Sequence, residues 1–250
     1  MNVKNVKKKH MPLSKKMIKI KNFTSFDRMA KQLVLDFAAQ SKKNIAEKGF
    51  FSVVLSGGNT PRKLFEKLAE EKLEWDKIFF FFGDERCVPP DNQDSNNYQA
   101  ERLLFSKIKI PRENIFKIPT EIPFESSAEA YSIEIEAFFG GKDTLPEFDL
   151  VYLGMGEDGH TASLFPGSKG LQEENRLAIA VPPPETVEPS VARITMTFPV
   201  LKNAKKIQFL ISGENKLKLL EKISEGGFSR EQYPVKEFLD LENTEFYYTD

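Results

Sequence analysis

The 250-residue chain contains two histidines, and only His160 stands where an imidazole could move a proton. It ends the run Gly154-Met155-Gly156-Glu157-Asp158-Gly159-His160, which follows the apolar segment Phe148 to Leu153. Histidine changes charge near neutral pH, so general acid–base work falls to it first. Asp158, two residues away, could orient the ring or hold a substrate hydroxyl. The glycines, Gly156 among them, free the backbone to bend around a ligand. His10 lies in a lysine-rich N-terminal stretch. No second His or Cys is near His160 to complete a soft-ligand site, so the chemistry is read as free of metal and cofactor.

Two more loops follow apolar segments and carry polar chemistry beside glycine. Ser56-Gly57-Gly58-Asn59-Thr60-Pro61-Arg62 follows Phe50 to Leu55. Its glycines admit an anion close to the backbone, and helix amides with the Ser56 and Thr60 hydroxyls would ring a phosphate. The alternative is a tight turn capped by Thr60. The Gly-Lys-Ser/Thr ending of a nucleotide-binding phosphate loop is absent. Gly83-Asp84-Glu85-Arg86 follows Ile78 to Phe82. It reads either as a solvated ion pair or as a catalytic group, with Asp84 or Glu85 fixing an Arg86 that stabilises an oxyanion. Downstream, Arg193 and Lys216 are candidate counter-charges for a phosphate on the first loop. Ser163 is the rival nucleophile, but the Gly-x-Ser-x-Gly elbow is missing.

These loops need elements to hold them. Met29, Leu33, Phe37, Ala38 and Ile45 form a helical stripe within 26–48. The runs 50–55, 78–82 and 148–153 are short and continuously apolar, as expected of strands buried on both faces. Helices are expected around Leu64 to Leu68, after Asn96, over 127–138 and from Glu214. Further strands are expected at 115–118, 177–181, 194–198, 207–211 and 245–248, and 87–96 reads as a loop. The alternation predicts an α/β fold: one doubly wound, mostly parallel sheet with helices on both faces. Ligands then sit beyond the carboxyl ends of the strands, where all three loops lie.

Composition bounds the rest. Forty per cent hydrophobic residues and 22 Phe suffice for one large core. A formal charge of −1 argues against a nucleic-acid or anionic-membrane partner. A single Cys excludes an internal disulfide and fits a reducing compartment, so a cytoplasmic location is expected. No apolar run approaches the roughly 20 residues that span a bilayer. Residues 1–22 read as a basic, disordered extension with eight lysines between Lys4 and Lys21 and no acid, and 23–250 as one catalytic domain. A monomer or small homo-oligomer is expected.

The three loops, read in order, resemble the signature stretches of the 6-phosphogluconolactonases. Leu-Ser-Gly-Gly-Asn-Thr-Pro begins at Leu55, Gly-Asp-Glu-Arg-Cys-Val-Pro-Pro-Asp-Asn-Gln-Asp-Ser-Asn at Gly83, and Gly-Met-Gly-Glu-Asp-Gly-His-Thr-Ala-Ser-Leu-Phe-Pro at Gly154. Arg193-Ile-Thr-Met-Thr and Ser212-Gly-x-x-Lys216 also fit, and the resemblance covers about Phe23 to Asp250. It implies a sugar-phosphate isomerase-like fold and hydrolysis of 6-phospho-D-glucono-1,5-lactone in the oxidative pentose phosphate pathway. The related glucosamine-6-phosphate deaminases follow their Asp-Gly-His with Asn-Glu-Pro, where this chain has Leu164-Phe165-Pro166. Loss of that glutamate favours the lactonase over an aminosugar-phosphate deaminase or isomerase. A non-catalytic sugar-phosphate sensor would need an added DNA-binding segment, and none is visible.

Overall fold

The computed structural model describes residues 18–141 and 144–250. The chain enters as strand β1 (Ile20–Phe23) and turns into helix α1 (Phe26–Lys48), whose Ser25 cap accepts from the Arg28 amide. Gly49, in the left-handed region at φ 90°, ends α1 by donating to the Ile45 carbonyl. Strand β2 (Phe51–Leu55), helix α2 (Asn59–Leu68) and strand β3 (Ile78–Phe82) follow. Next come β4 (Asp84–Arg86), α3 (Asn96–Leu103), α4 (Phe124–Phe138) and β5 (Leu150–Leu153). The remainder is β6 (Ala178–Val181), β7 (Arg193–Met196), α5 (Phe198–Lys202), β8 (Ile207–Ser212), α6 (Glu214–Ser224), α7 (Lys236–Leu239) and β9 (Thr244–Thr249).

Six strands form one parallel sheet in the order β1-β9-β8-β5-β2-β3. From β2 the chain moves outward to β3, then returns to the other side of β2 as β5. This reversal opens a crevice beyond the carboxyl ends of β2 and β5. The Phe79–Phe82 run makes β3 apolar on both sides. Phe80 packs on Phe37 of α1, while Phe79 and Phe81 pack on Phe138 of α4, so the two helices cover opposite faces. Phe80 and Phe81, fully buried, each contribute about 1.5–3 kcal/mol. Tyr131 of α4 closes the exposed edge of β3, donating its hydroxyl to the Phe82 carbonyl at 2.9 Å and accepting the Phe82 amide at 2.8 Å.

Four expectations are corrected. Residues 83–86 are not simply a loop: β4 pairs antiparallel with β7, and β7 with β6, in a separate three-stranded sheet. Two acids and an arginine carry no strand signal, and their pairing partners lie more than 100 residues away. No strand forms at 115–118, where only Ile115 bridges Phe80; Pro111 and Pro119 bracket the segment and lack amides to extend a ladder. The strand expected at 194–198 stops at Met196, because Pro199 sits in the first turn of α5. Residues 20–22, counted with the basic extension, pair with Phe246–Tyr248 of β9 as an edge strand. Residues 1–17 of the extension lie outside the described residues.

That edge is also tied by charge. Glu245 on β9 meets Lys206 at 2.6 Å and Lys21 at 2.8 Å. Burial opposes its ionisation, but the two lysines outweigh burial and hold its carboxyl at about 2. A depressed carboxyl stabilises the fold above its ordinary value of 4.5, and that contribution fades as pH falls from there toward 2. Glu245→Gln should therefore lower the melting temperature at pH 7, with the gap to wild type narrowing below pH 4.5 and closing only below about pH 2, measured by calorimetry across pH. A gap that stays constant with pH would exclude the ion pairs as its cause.

Candidate active site

The ends of β2, β3, β5 and β8 converge on one cavity of about 210 Å³, lined by the Ser56–Pro61 turn, Asp84, Arg86, Gly154 to Gly156, His160 and Lys216. The alternation of β4 explains part of this. Asp84 and Arg86 point into the cavity, while Glu85 between them points the other way. Glu85 accepts the Asn96 amide at 2.7 Å and the Asn97 amide at 2.8 Å, anchoring the start of α3. Its carboxyl is pushed up by burial, against those amides.

The phosphate-type turn leaves β2 through the buried Ser56. Gly58 occupies the cap position of α2, so Thr60 is the second residue of the helix and not its cap. No side chain caps this helix. Its first amides therefore face the cavity without a side-chain acceptor, the arrangement that favours an anion. Lys216, half-buried in the first turn of α6, reaches the same cavity and has no ion pair among the described residues.

His160 is held from one side only. Its Nδ1 lies 2.6 Å from Asp158 Oδ1, and the same oxygen accepts the His160 backbone N–H at 3.0 Å. Asp158 thus contacts both the ring and the backbone of His160. Burial opposes ionisation of Asp158, but its contacts with His160 prevail and hold the carboxyl below its usual range. Nε2 has no hydrogen-bond partner among the described residues. The loop closes through the Gly156 amide to the His160 carbonyl at 2.9 Å, and the Val235 amide ties Gly159 down from outside at 3.0 Å. Gly156 must lack a side chain: a Cβ there would sit 2.1 Å from His160 Nδ1 and 2.6 Å from Asp158 Oδ1.

Other expected residues fall differently. Arg86 lines the cavity, but neither Asp84 nor Glu85 fixes its guanidinium. Its Nη1 donates to the Asp94 carbonyl at 2.6 Å, and its buried Nε has no partner. Asp84 instead accepts from Ser163 Oγ at 2.7 Å and Asn96 Nδ2 at 3.2 Å. Ser163 is fully buried behind the cavity and committed to Asp84, which removes it as a nucleophile. Arg193 does not line the cavity. It is 2% exposed, donates to the Val191 and Pro189 carbonyls, and lies over the Phe165 ring. It pairs in register with Arg86 across β4 and β7, so its charge backs the cavity without entering it. The Phe165 ring lies tilted against that of His160, with centroids 4.8 Å apart.

Ala162 and Leu210 line the cavity without having been anticipated. Ala162 adopts φ 49°, a left-handed conformation costly for any residue with a Cβ. Asn96 was also missed, although Ser95-Asn96 stands in the second signature stretch. Its importance depends on contacts made by a fold, which no local pattern discloses. Among the described residues no group of three His, Cys, Asp or Glu side chains is placed to hold a metal ion.

Comparison with known proteins gives a consistent result. A family model described as glucosamine-6-phosphate isomerases/6-phosphogluconolactonase matches residues 24–246. A Synechocystis 6-phosphogluconolactonase is 40% identical over 198 residues, covering 78% of this chain and 80% of that one. One from Thermotoga maritima is 40% identical over 182 residues, covering 73% and 78%. The crystal structure of a Thermotoga maritima 6-phosphogluconolactonase superposes with TM-score 0.79 at 32% identity, over 92% of this chain and 98% of that one. A monomeric glucosamine-6-phosphate deaminase, at 20% identity and TM-score 0.78, shares the fold.

Proposed function

The chain belongs to the family of glucosamine-6-phosphate isomerases and 6-phosphogluconolactonases, and from that premise we propose that it hydrolyses 6-phospho-D-glucono-1,5-lactone to 6-phosphogluconate, with His160 as the proton relay. The observation that carries the reading is the placement of one free imidazole nitrogen, one uncapped helix start and one unpaired lysine around a single small cavity. The 6-phosphate sits against the Gly57, Gly58 and Thr60 turn with Lys216 as counter-charge, and the buried Arg193 adds positive potential from behind Arg86. Ser56 and Gly156 shape the walls.

Asp158 keeps Nδ1 protonated, which leaves Nε2 as the base. Nε2 removes a proton from water as its oxygen attacks the lactone carbonyl. Arg86, whose buried Nε lacks an acceptor, stabilises the tetrahedral oxyanion. Collapse breaks the bond to the ring oxygen, and His160 returns the proton there to give the open hydroxy acid. A base of this kind contributes about 10²–10⁴-fold and an oxyanion donor about 10²–10³-fold. For a δ-lactone, already activated, that sum needs neither metal nor covalent intermediate. Asp84, tied to Ser163 and Asn96, is the acceptor for a sugar-acid hydroxyl.

The deaminase reading lacks its acid, since apolar Phe165 occupies the place beside His160. The proposed setting is the cytoplasm, with a small phosphosugar lactone as the sole partner, neither nucleic acid nor membrane, and a monomer or small homo-oligomer. No helix among the described residues is long and apolar enough to cross a membrane.

The deciding experiment is hydrolysis of freshly made 6-phosphogluconolactone at fixed pH, beside an assay of ammonia release from glucosamine 6-phosphate. A lactone rate no faster than the spontaneous one would end the proposal. Lys216→Ala should raise KM about 10-fold or more, the loss of one charge-assisted phosphate contact, with kcat changed far less. Unchanged inhibition by the product 6-phosphogluconate would remove Lys216 from the phosphate seat.

A further inference from the structure

Asn96, the first residue of α3, does not line the cavity and is 3% exposed, yet it sits where two walls of the site meet. Its Nδ2 donates to the Asp84 carbonyl at 2.8 Å and to Asp84 Oδ1 at 3.2 Å. Its backbone amide is fixed by Glu85 at 2.7 Å. The other end of the carboxamide presses on the phosphate turn. A Cβ on Gly57 would lie 1.9 Å from Asn96 Oδ1 and 2.5 Å from its Cγ.

The walls that Asn96 joins belong to different sheets. The Gly83 amide bonds the Leu55 carbonyl at 2.9 Å. Beyond that point the turn after β2 and strand β4 diverge, β4 entering the antiparallel sheet. No strand pairing sets their separation past this bond. We propose that Asn96 is a positioning residue that fixes the spacing between the Gly57–Thr60 phosphate turn and the wall carrying Asp84 and Arg86. The proposal rests on reading that turn as the phosphate seat. A buried carboxamide held by Asp84, on a helix start clamped by Glu85, is stiff enough for the task. Its effect is selective: it places the reacting carbonyl only for a substrate anchored by its phosphate.

The test compares 6-phosphogluconolactone with unphosphorylated glucono-1,5-lactone, and measures 6-phosphogluconate and gluconate binding by calorimetry. Asn96→Ala should lose roughly 10-fold or more in kcat/KM on the phosphorylated lactone and less than about 3-fold on the other, as a misplaced anchor predicts. Binding of 6-phosphogluconate should weaken by a similar factor. Gly57→Ala should also lose activity on the phosphorylated lactone and affinity for 6-phosphogluconate, because its Cβ displaces the carboxamide. Gly57 is not among the residues at positive φ, so alanine meets no backbone penalty there. The double variant Gly57→Ala/Asn96→Ala should be no worse than Asn96→Ala, since the group struck is gone.

Equal losses on both lactones, or additive losses in the double variant, would overturn the proposal. Should Asn96→Ala fail to fold, Gly57→Ala alone decides: wild-type affinity for 6-phosphogluconate refutes it. A wild-type chain that hydrolyses neither lactone would sink the hydrolase reading instead. The calorimetric comparison would then still judge Asn96.

Discussion

His160→Asn should lower kcat on 6-phosphogluconolactone by roughly 10²–10⁴-fold, the range a general base contributes, while KM moves by much less. Asparagine fills similar space but cannot accept a proton from water at neutral pH. The proposed phosphate seat is built from α2 and α6, on other strand ends, so ground-state binding should survive the change. Stability should be little affected, because among the described residues the ring's only hydrogen-bond partner is the partly exposed Asp158. The measurement is initial rate against lactone concentration, with the spontaneous rate subtracted, alongside thermal denaturation. A variant within about 3-fold of wild type would dismiss His160 as the relay, given the contribution expected of such a base.

Asp158→Ala is expected to cost roughly 10²-fold in kcat, and Asp158→Asn distinctly less, for a misoriented catalytic group. The geometry gives the reason. One oxygen, Oδ1, receives both the His160 backbone N–H and the ring Nδ1. An asparagine keeps a carbonyl oxygen there, since the backbone N–H demands an acceptor, so the ring retains its orientation and loses only the neighbouring charge. Alanine removes both, and the ring is then free to turn Nε2 from the cavity. Because His160 holds the Asp158 carboxyl below its usual range, Asp158 stays ionised through mildly acidic pH. If alanine and asparagine variants fall equally, charge and not orientation is the aspartate's contribution.

The local code of the site is plain in its glycine loops. A histidine in a glycine-lined turn after an apolar strand is legible because each ingredient is local: strand burial, backbone freedom and a titratable ring. The parallel sheet was legible for a similar reason. Runs such as Phe79–Phe82 can be satisfied only by burial on both faces, and helical spacing between such runs supplies the covering layers. Where signals compete, the reading weakens. Residues 115–118 have the apolar content of a strand, yet the flanking prolines leave only one bridge to β3.

Arg86 and Arg193 mark the limit of sequence alone. Both are arginines near motif positions, and both were assigned to bind negative charge. They stand opposite each other on β4 and β7, a contact across more than 100 residues, and differ in the partners the fold supplies: Arg86 lines the cavity, while Arg193 is held by carbonyls of its own loop. Ser163 and Asp84 are likewise coupled only by folding. The chain order of residues thus determined the kinds of chemistry available, the strands that end beside them and the family. Which side chains share the cavity, which stand behind it, and which nitrogen of His160 is left free were decided by tertiary packing, because hydrogen-bond partners and burial are assigned among residues distant in the chain.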